Sequence, residues 1–84
     1  MGKTLNMKAR VYVSYKDTVL DPQGKTVRNA LHSLGYSDVA DVRQGKYFQI
    51  ELKDMPREQA EKILKEMADK ILSNPVIEKF EIEI

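Results

Sequence analysis

A two-layer α+β domain is the fold that these 84 residues predict, with elements in the order strand, helix, strand, strand, helix, strand. Three observations carry the expectation. Apolar and polar residues alternate over residues 9–16 and 46–53 and again at the C-terminal end, the period of a strand with one buried face. Apolar residues recur at helical spacing after Asp21-Pro22 and again between residues 54 and 73. Cap and turn signals stand between these stretches: Asp21-Pro22, Gly35, Gly45 and Ser73-Asn74-Pro75. The order is the split βαβ arrangement of ferredoxin-like domains, a four-stranded antiparallel sheet with two helices on one face.

Residues 1–7 carry no clear period and read as a flexible arm, which leaves 8–84 as a single domain. In the first strand Ala9, Val11, Val13 and Tyr15 share one face, and Arg10, Tyr12, Ser14 and Lys16 the other. Asp21 is the N-cap of the first helix, its carboxylate free to accept from a first-turn N–H. Pro22 follows at N1, where no intrahelical N–H is needed. Val27, Ala30, Leu31 and Leu34 form the apolar stripe, and Gly35 is the left-handed residue that ends the helix. Residues 37–44 read as a strand through Val39 and Val42, turning at Gly45 into the next, where Phe48, Ile50 and Leu52 align. The second helix spans about 54–73 with Pro56 in its first turn. Its buried stripe is Ala60, Ile63, Leu64, Met67 and Ile71. Glu58–Lys62, Glu61–Lys65 and Glu66–Lys70 are i,i+4 pairs on a solvated face. Phe80, Ile82 and Ile84 mark the last strand.

Composition excludes several functions. With no cysteine there is no disulfide framework, thiolate nucleophile or cysteine zinc site. Fourteen basic and thirteen acidic residues leave a net charge of +1, a poor footprint for nucleic acid. No apolar run reaches the roughly 20 residues of a membrane span, and no signal-peptide core appears. Asn6 stands where a myristoylation motif wants Ser or Thr. A cytoplasmic protein is the expectation.

The chemical motifs fail one by one. His32, the only histidine, has no triad or ligand set around it and reads as a packed or surface residue. "DPQGKT" echoes a phosphate loop, but Val19 stands where the first glycine is required. "QGKYFQIEL" puts Lys46 where an RNA-stacking aromatic belongs. "KDTVLD" lacks the arginine that an acylphosphatase loop places after its first strand. Gly24 is the anomaly. At the third helical position it costs up to about 1 kcal/mol against alanine, which leaves two readings: simple tolerance in a fraying first turn, or another chain or loop lying directly on the helix start. If Gly24 serves close approach, Gly24→Ala should preserve or raise the chain's own stability, because alanine favours helix by about 1 kcal/mol.

Three separated stretches, "VLDPQGKTVRNALHSLGY", "VADVRQGKYFQIEL" and "LSNPVIEKFEIEI", resemble the PurS family in order and spacing. The resemblance covers residues 8–84. "KDMPREQA" falls in a variable connection and adds nothing to it. PurS is the small subunit of phosphoribosylformylglycinamidine (FGAM) synthase in purine biosynthesis. The resemblance therefore implies a non-catalytic partner of an ATP-dependent, glutamine-using carbon–nitrogen ligase. In that family PurL uses ATP to activate the amide oxygen of formylglycinamide ribonucleotide, and PurQ is a glutaminase that releases ammonia. The small subunit would assist their assembly and the passage of ammonia. It would bind no cofactor itself, with ATP and Mg handled by the large subunit. The candidate subunit interface is then Asp21, Gln23, Gly24, Arg43, Gly45 and Lys46. An amino-acid-sensing domain of the ACT type is the alternative. Tyr12 and Tyr47, exposed beside charges on one sheet face, lead us to expect at least a homodimer, or a homotetramer.

Overall fold

The computed structural model describes residues 6–84. In chain order the elements are β1 (Asn6–Tyr15), α1 (Pro22–Ser33), β2 (Gly45–Lys53), α2 (Arg57–Met67), a π-helical turn (Ala68–Leu72) and β3 (Glu78–Glu83). Of the expected arm, residues 1–5 lie outside the described residues, and Asn6 and Met7 already belong to β1. Among the described residues the sheet has three strands in the order β2-β1-β3, both pairings antiparallel.

The alternation in β1 decides the layers. Val11 faces Phe48 across one ladder and Ile82 across the other, and Ala9 faces Ile50. Ala9, Val11 and Val13 therefore line one face, where Leu64 and Ala68 cover them. Phe48, Ile50, Leu52, Phe80, Ile82 and Ile84 complete the layer at its margins. Leu64, Val11 and Val13 are the largest side chains fully removed from water, each worth about 1.5–3 kcal/mol. The connection from β2 through α2 to β3 spans this face, so α2 is the roof of the core.

The structure corrects the four-stranded expectation in two places. Residues 37–44 form no strand. Val39 and Val42 are three apart, a spacing that cannot put both on one face of a pleated chain. The backbone groups of this segment go elsewhere: Val39 N–H bonds to Tyr36 O at 3.3 Å, and Gln44 N–H bonds to a side chain. Gly45 is therefore not a hairpin turn but the first residue of β2, opposite Ser14. A Cβ there would lie 2.5 Å from Val13 O, so glycine is what lets β2 close against β1.

The second correction concerns α1. Its ends follow the capping rules: Asp21 accepts from Gly24 N–H, and Gly35 takes φ +100°. Gly35 N–H bonds to His32 O at 3.0 Å and Tyr36 N–H to Leu31 O at 3.0 Å, the two bonds of a Schellman stop. Yet α1 does not share a sheet face with α2. No α1 residue joins the core, and the stripe is left open, Val27 and Leu34 being exposed. The Cα radius of gyration is 17.0 Å, against about 12 Å for a compact chain of this length. Residues 16–44 thus form an excursion that leaves the sheet after Tyr15 and returns at Gly45.

The second helix begins at Arg57, with Pro56 in extended conformation as its N-cap, and the π-turn changes its buried stripe. Ala60, Leu64 and Ala68 are buried, Ile63 and Met67 are half-buried, and Ile71 is 82% exposed. The wider turn brings Leu72 to the core instead. Ser73 closes it, with its N–H and Oγ–H both donating to Ala68 O at 2.8 Å. Among the described residues the ion pair on this helix is Arg57–Glu61 at 3.8 Å, in place of the three expected pairs.

Candidate subunit interface

The six residues singled out in the sequence come together at one corner, the neck where the excursion leaves and rejoins the sheet. Asp21 is the centre of it. One carboxylate oxygen, Oδ1, accepts from Gly24 N–H at 2.9 Å, the helix cap. The other, Oδ2, accepts from Gln44 N–H at 2.6 Å, on the returning chain. These two backbone donors hold the Asp21 carboxyl below the ordinary carboxylate range, against the opposing effect of its burial.

Gly24 is buried, and the neighbour that excludes a side chain there belongs to the same chain. A Cβ would fall inside contact distance of Val42 O and 2.7 Å from Asp21 Oδ2. Close approach is therefore the reason for this glycine, as expected. The approach within the chain overturns the expectation that alanine would be tolerated by the isolated subunit.

Arg43 closes the same neck from the other side. Its Nη2 donates to Lys16 O at 2.9 Å and to Val19 O at 3.0 Å, pinning the β1–α1 connection. Gln23 accepts at Oε1 from Gln44 Nε2, 2.7 Å away. Lys46 lies 3.5 Å from Glu78, whose other oxygen accepts from Asn74 N–H at 2.7 Å. Between them is a cleft of about 80 Å³ lined by Ser14, Gln23, Gln44, Gly45, Lys46 and Glu78, among others. Gln44 and Glu78 are the members that sequence reasoning misses. Gln44 contributes a backbone N–H, which no side-chain pattern advertises, and Glu78 reads in the sequence as one more strand-edge charge.

His32 sits outside the corner. Its Nε2 is 2.7 Å from Val39 O, so it ties the end of α1 to the chain that follows. The open sheet face carries a second ordered group. Tyr12 and Tyr47 stack with ring centroids 5.3 Å apart. Arg10 Nε donates to Tyr47 OH at 3.1 Å, and Tyr12 OH donates to Glu83 at 3.1 Å. The bond to Tyr47 raises the Arg10 pKa, and desolvation followed by the Glu83 contact raises that of Tyr12. Among the described residues no group of three His, Asp or Glu side chains is placed to hold a metal ion. No helix among them is long and apolar enough to cross a membrane.

Residues 8–84 match the family described as PurS: Phosphoribosylformylglycinamidine (FGAM) synthase. The chain belongs to the PurS family. A PurS relative, phosphoribosylformylglycinamidine synthase subunit PurS of Bacillus subtilis, is 47% identical over 77 residues, covering 92% of this chain and 90% of its own length. The crystal structure of PurS from Methanocaldococcus jannaschii, one of the subunits of formylglycinamide ribonucleotide amidotransferase in the purine biosynthetic pathway, superposes with a TM-score of 0.82. It is 35% identical and covers 94% of each chain. A chain of the PurLQS structure from Thermotoga maritima gives 0.85 at 30% identity, covering 94% of this chain and 96% of that one.

Proposed function

We propose that this chain, a PurS subunit of FGAM synthase in purine biosynthesis, works by joining a PurL synthetase to a PurQ glutaminase and by assisting the transfer of ammonia between them. The observation that carries the reading is the likeness, over nearly the whole chain, to a chain of the PurLQS structure. The chemistry of the neck agrees with a structural role, because its carboxylate, guanidinium and amides are engaged in holding chain segments together. On this reading the subunit turns over nothing itself and holds no nucleotide, and ATP and Mg belong to the large subunit.

Self-association is part of the proposal. A helix that leaves Val27 and Leu34 exposed and Leu31 half-buried outside the core needs a cover, and a second copy offers the same stripe. The neck residues Asp21, Gln23, Gly24, Arg43, Gly45 and Lys46 stand at the root of that helix, and the proposal keeps them beside the subunit contacts.

Two measurements test the reading. Added to PurL and PurQ, the chain should restore glutamine-dependent amide conversion, while alone it neither hydrolyses glutamine nor consumes ATP. Failure to stimulate, or turnover by the purified chain, would overturn the reading. Light scattering at micromolar concentration should give at least twice the 9.7 kDa chain mass. Val27→Glu with Leu34→Glu should return the mass to that of one chain; a monomeric parent would refute self-association.

A further inference from the structure

The excursion carrying α1 is joined to the sheet by two crossings of the chain, side by side because Ser14 pairs with Gly45. Since α1 contributes nothing to the core, its direction is set at the neck. A 12-residue helix is about 18 Å long, so a tilt of about 10° at its root moves its far end by about 3 Å. That displacement is comparable to the whole range over which apolar side chains touch.

Asp21 is more than a cap. A cap needs one acceptor, and serine, threonine or asparagine would supply it. Here Oδ1 serves the cap and Oδ2 bonds Gln44 N–H, so one 3%-exposed carboxylate ties the outgoing chain to the returning one. Arg43 on the returning chain bonds two carbonyls of the outgoing one, at Lys16 and Val19. Lys16 N–H is itself anchored to Ile77 O at 2.9 Å, just before β3.

We propose that Asp21 and Arg43 are positioning residues, a reciprocal clamp that fixes the angle of α1 to the sheet and so presents the Val27–Leu31–Leu34 stripe in one orientation. The clamp stands on the geometry of the neck alone. Its consequence for assembly rests on the self-association proposed above.

The test uses the absence of cysteine. Cysteines at two exposed positions, Asn29→Cys on α1 and Glu58→Cys on α2, are spin-labelled and diluted with unlabelled chain, and the distance distribution is measured by pulsed electron resonance. The parent should give one narrow distance. Asp21→Ser keeps the cap and loses the bridge, so it should widen the distribution at least about twofold with unchanged helical circular dichroism. Arg43→Met should do the same. Asp21→Asn, with one acceptor oxygen instead of two, is the second variant should serine disturb the helix. An unchanged narrow distribution in these variants overturns the clamp. In the assembly arm, Asp21→Ser should raise the dimer dissociation constant about tenfold, the equivalent of about 1.4 kcal/mol. A parent that stays monomeric overturns the assembly reading, and the distances still judge the clamp.

Discussion

Replacing Gly24 by alanine should destabilise this chain, although alanine is the better helix former. The intrinsic gain is at most about 1 kcal/mol. Against it stands a methyl group driven onto Val42 O and lying 2.7 Å from Asp21 Oδ2. Neither neighbour can give way freely, because the 2.6 Å bond from Gln44 N–H holds the segment following Val42 in place. Overpacking of this kind costs about 1–3 kcal/mol. Pushing the returning chain outward leaves the Gln44 N–H unpaired, which adds about 1–3 kcal/mol more. The balance is a loss of about 1–5 kcal/mol, centred on about 3 kcal/mol. For a chain of this size each kcal/mol moves the midpoint by about 4–8 °C, so a central loss of about 3 kcal/mol should lower the melting temperature by about 12–24 °C. The assay is thermal and urea denaturation of parent and variant at one fixed chain concentration, since association would shift both midpoints. A Gly24→Ala chain that melts at or above the parent would refute the intrachain contact as the reason for glycine.

Acid should weaken the neck first. Because the Asp21 carboxyl is lowered in the folded chain by its two backbone donors, its contribution is complete above the unfolded value near pH 3.9 and is lost as pH falls through the lower folded value. The urea midpoint should therefore drop more steeply below about pH 4 in the parent than in Asp21→Asn, and equal slopes would disprove it. Asp17, lowered by its bond to Lys79, adds to the same slope only weakly because the pair is exposed. The π-turn makes an unusual pair of substitutions informative. Ile71→Gln should change stability by no more than about 0.5 kcal/mol and Leu72→Ala should cost about 1–3 kcal/mol, as measured by urea unfolding. The reverse order would mean that the helix continues in α register through Leu72.

Much of the core was legible because strand alternation is a local signal. Ala9, Val11 and Val13 with Phe48, Ile50 and Leu52 declare their common face by period alone. The Asp21–Pro22 start and the Gly35 stop of α1 were equally readable, since caps are built from nearby groups. What failed depended on distant partners. The stripe of α1 has the spacing of a core helix, and spacing does not say whether the cover comes from the same chain. One inserted residue in the π-turn exchanges Ile71 for Leu72, and nothing in "MADKILS" signals it. Gly24 and Gly45 stand out in the sequence, but Val42 O and Val13 O could not be named from it, being carbonyls that any residue would provide.

The central place of β1 also governs how quickly the chain can fold. Each of its partners is remote: the closest pair in sequence is Ser14 with Gly45, and Tyr15 waits for Glu78. No hairpin among the described residues supplies a local nucleus for the sheet. Helices of this length form within about a microsecond, whereas ladder bonds must first close loops with little to compensate the entropy. The chain should therefore refold in milliseconds to seconds, as non-local topologies do, in spite of its helical content. Amide protection should arise in α2 early and in the strands late, with β1 protected together with whichever edge strand pairs first, because neither β2 nor β3 has a ladder partner other than β1.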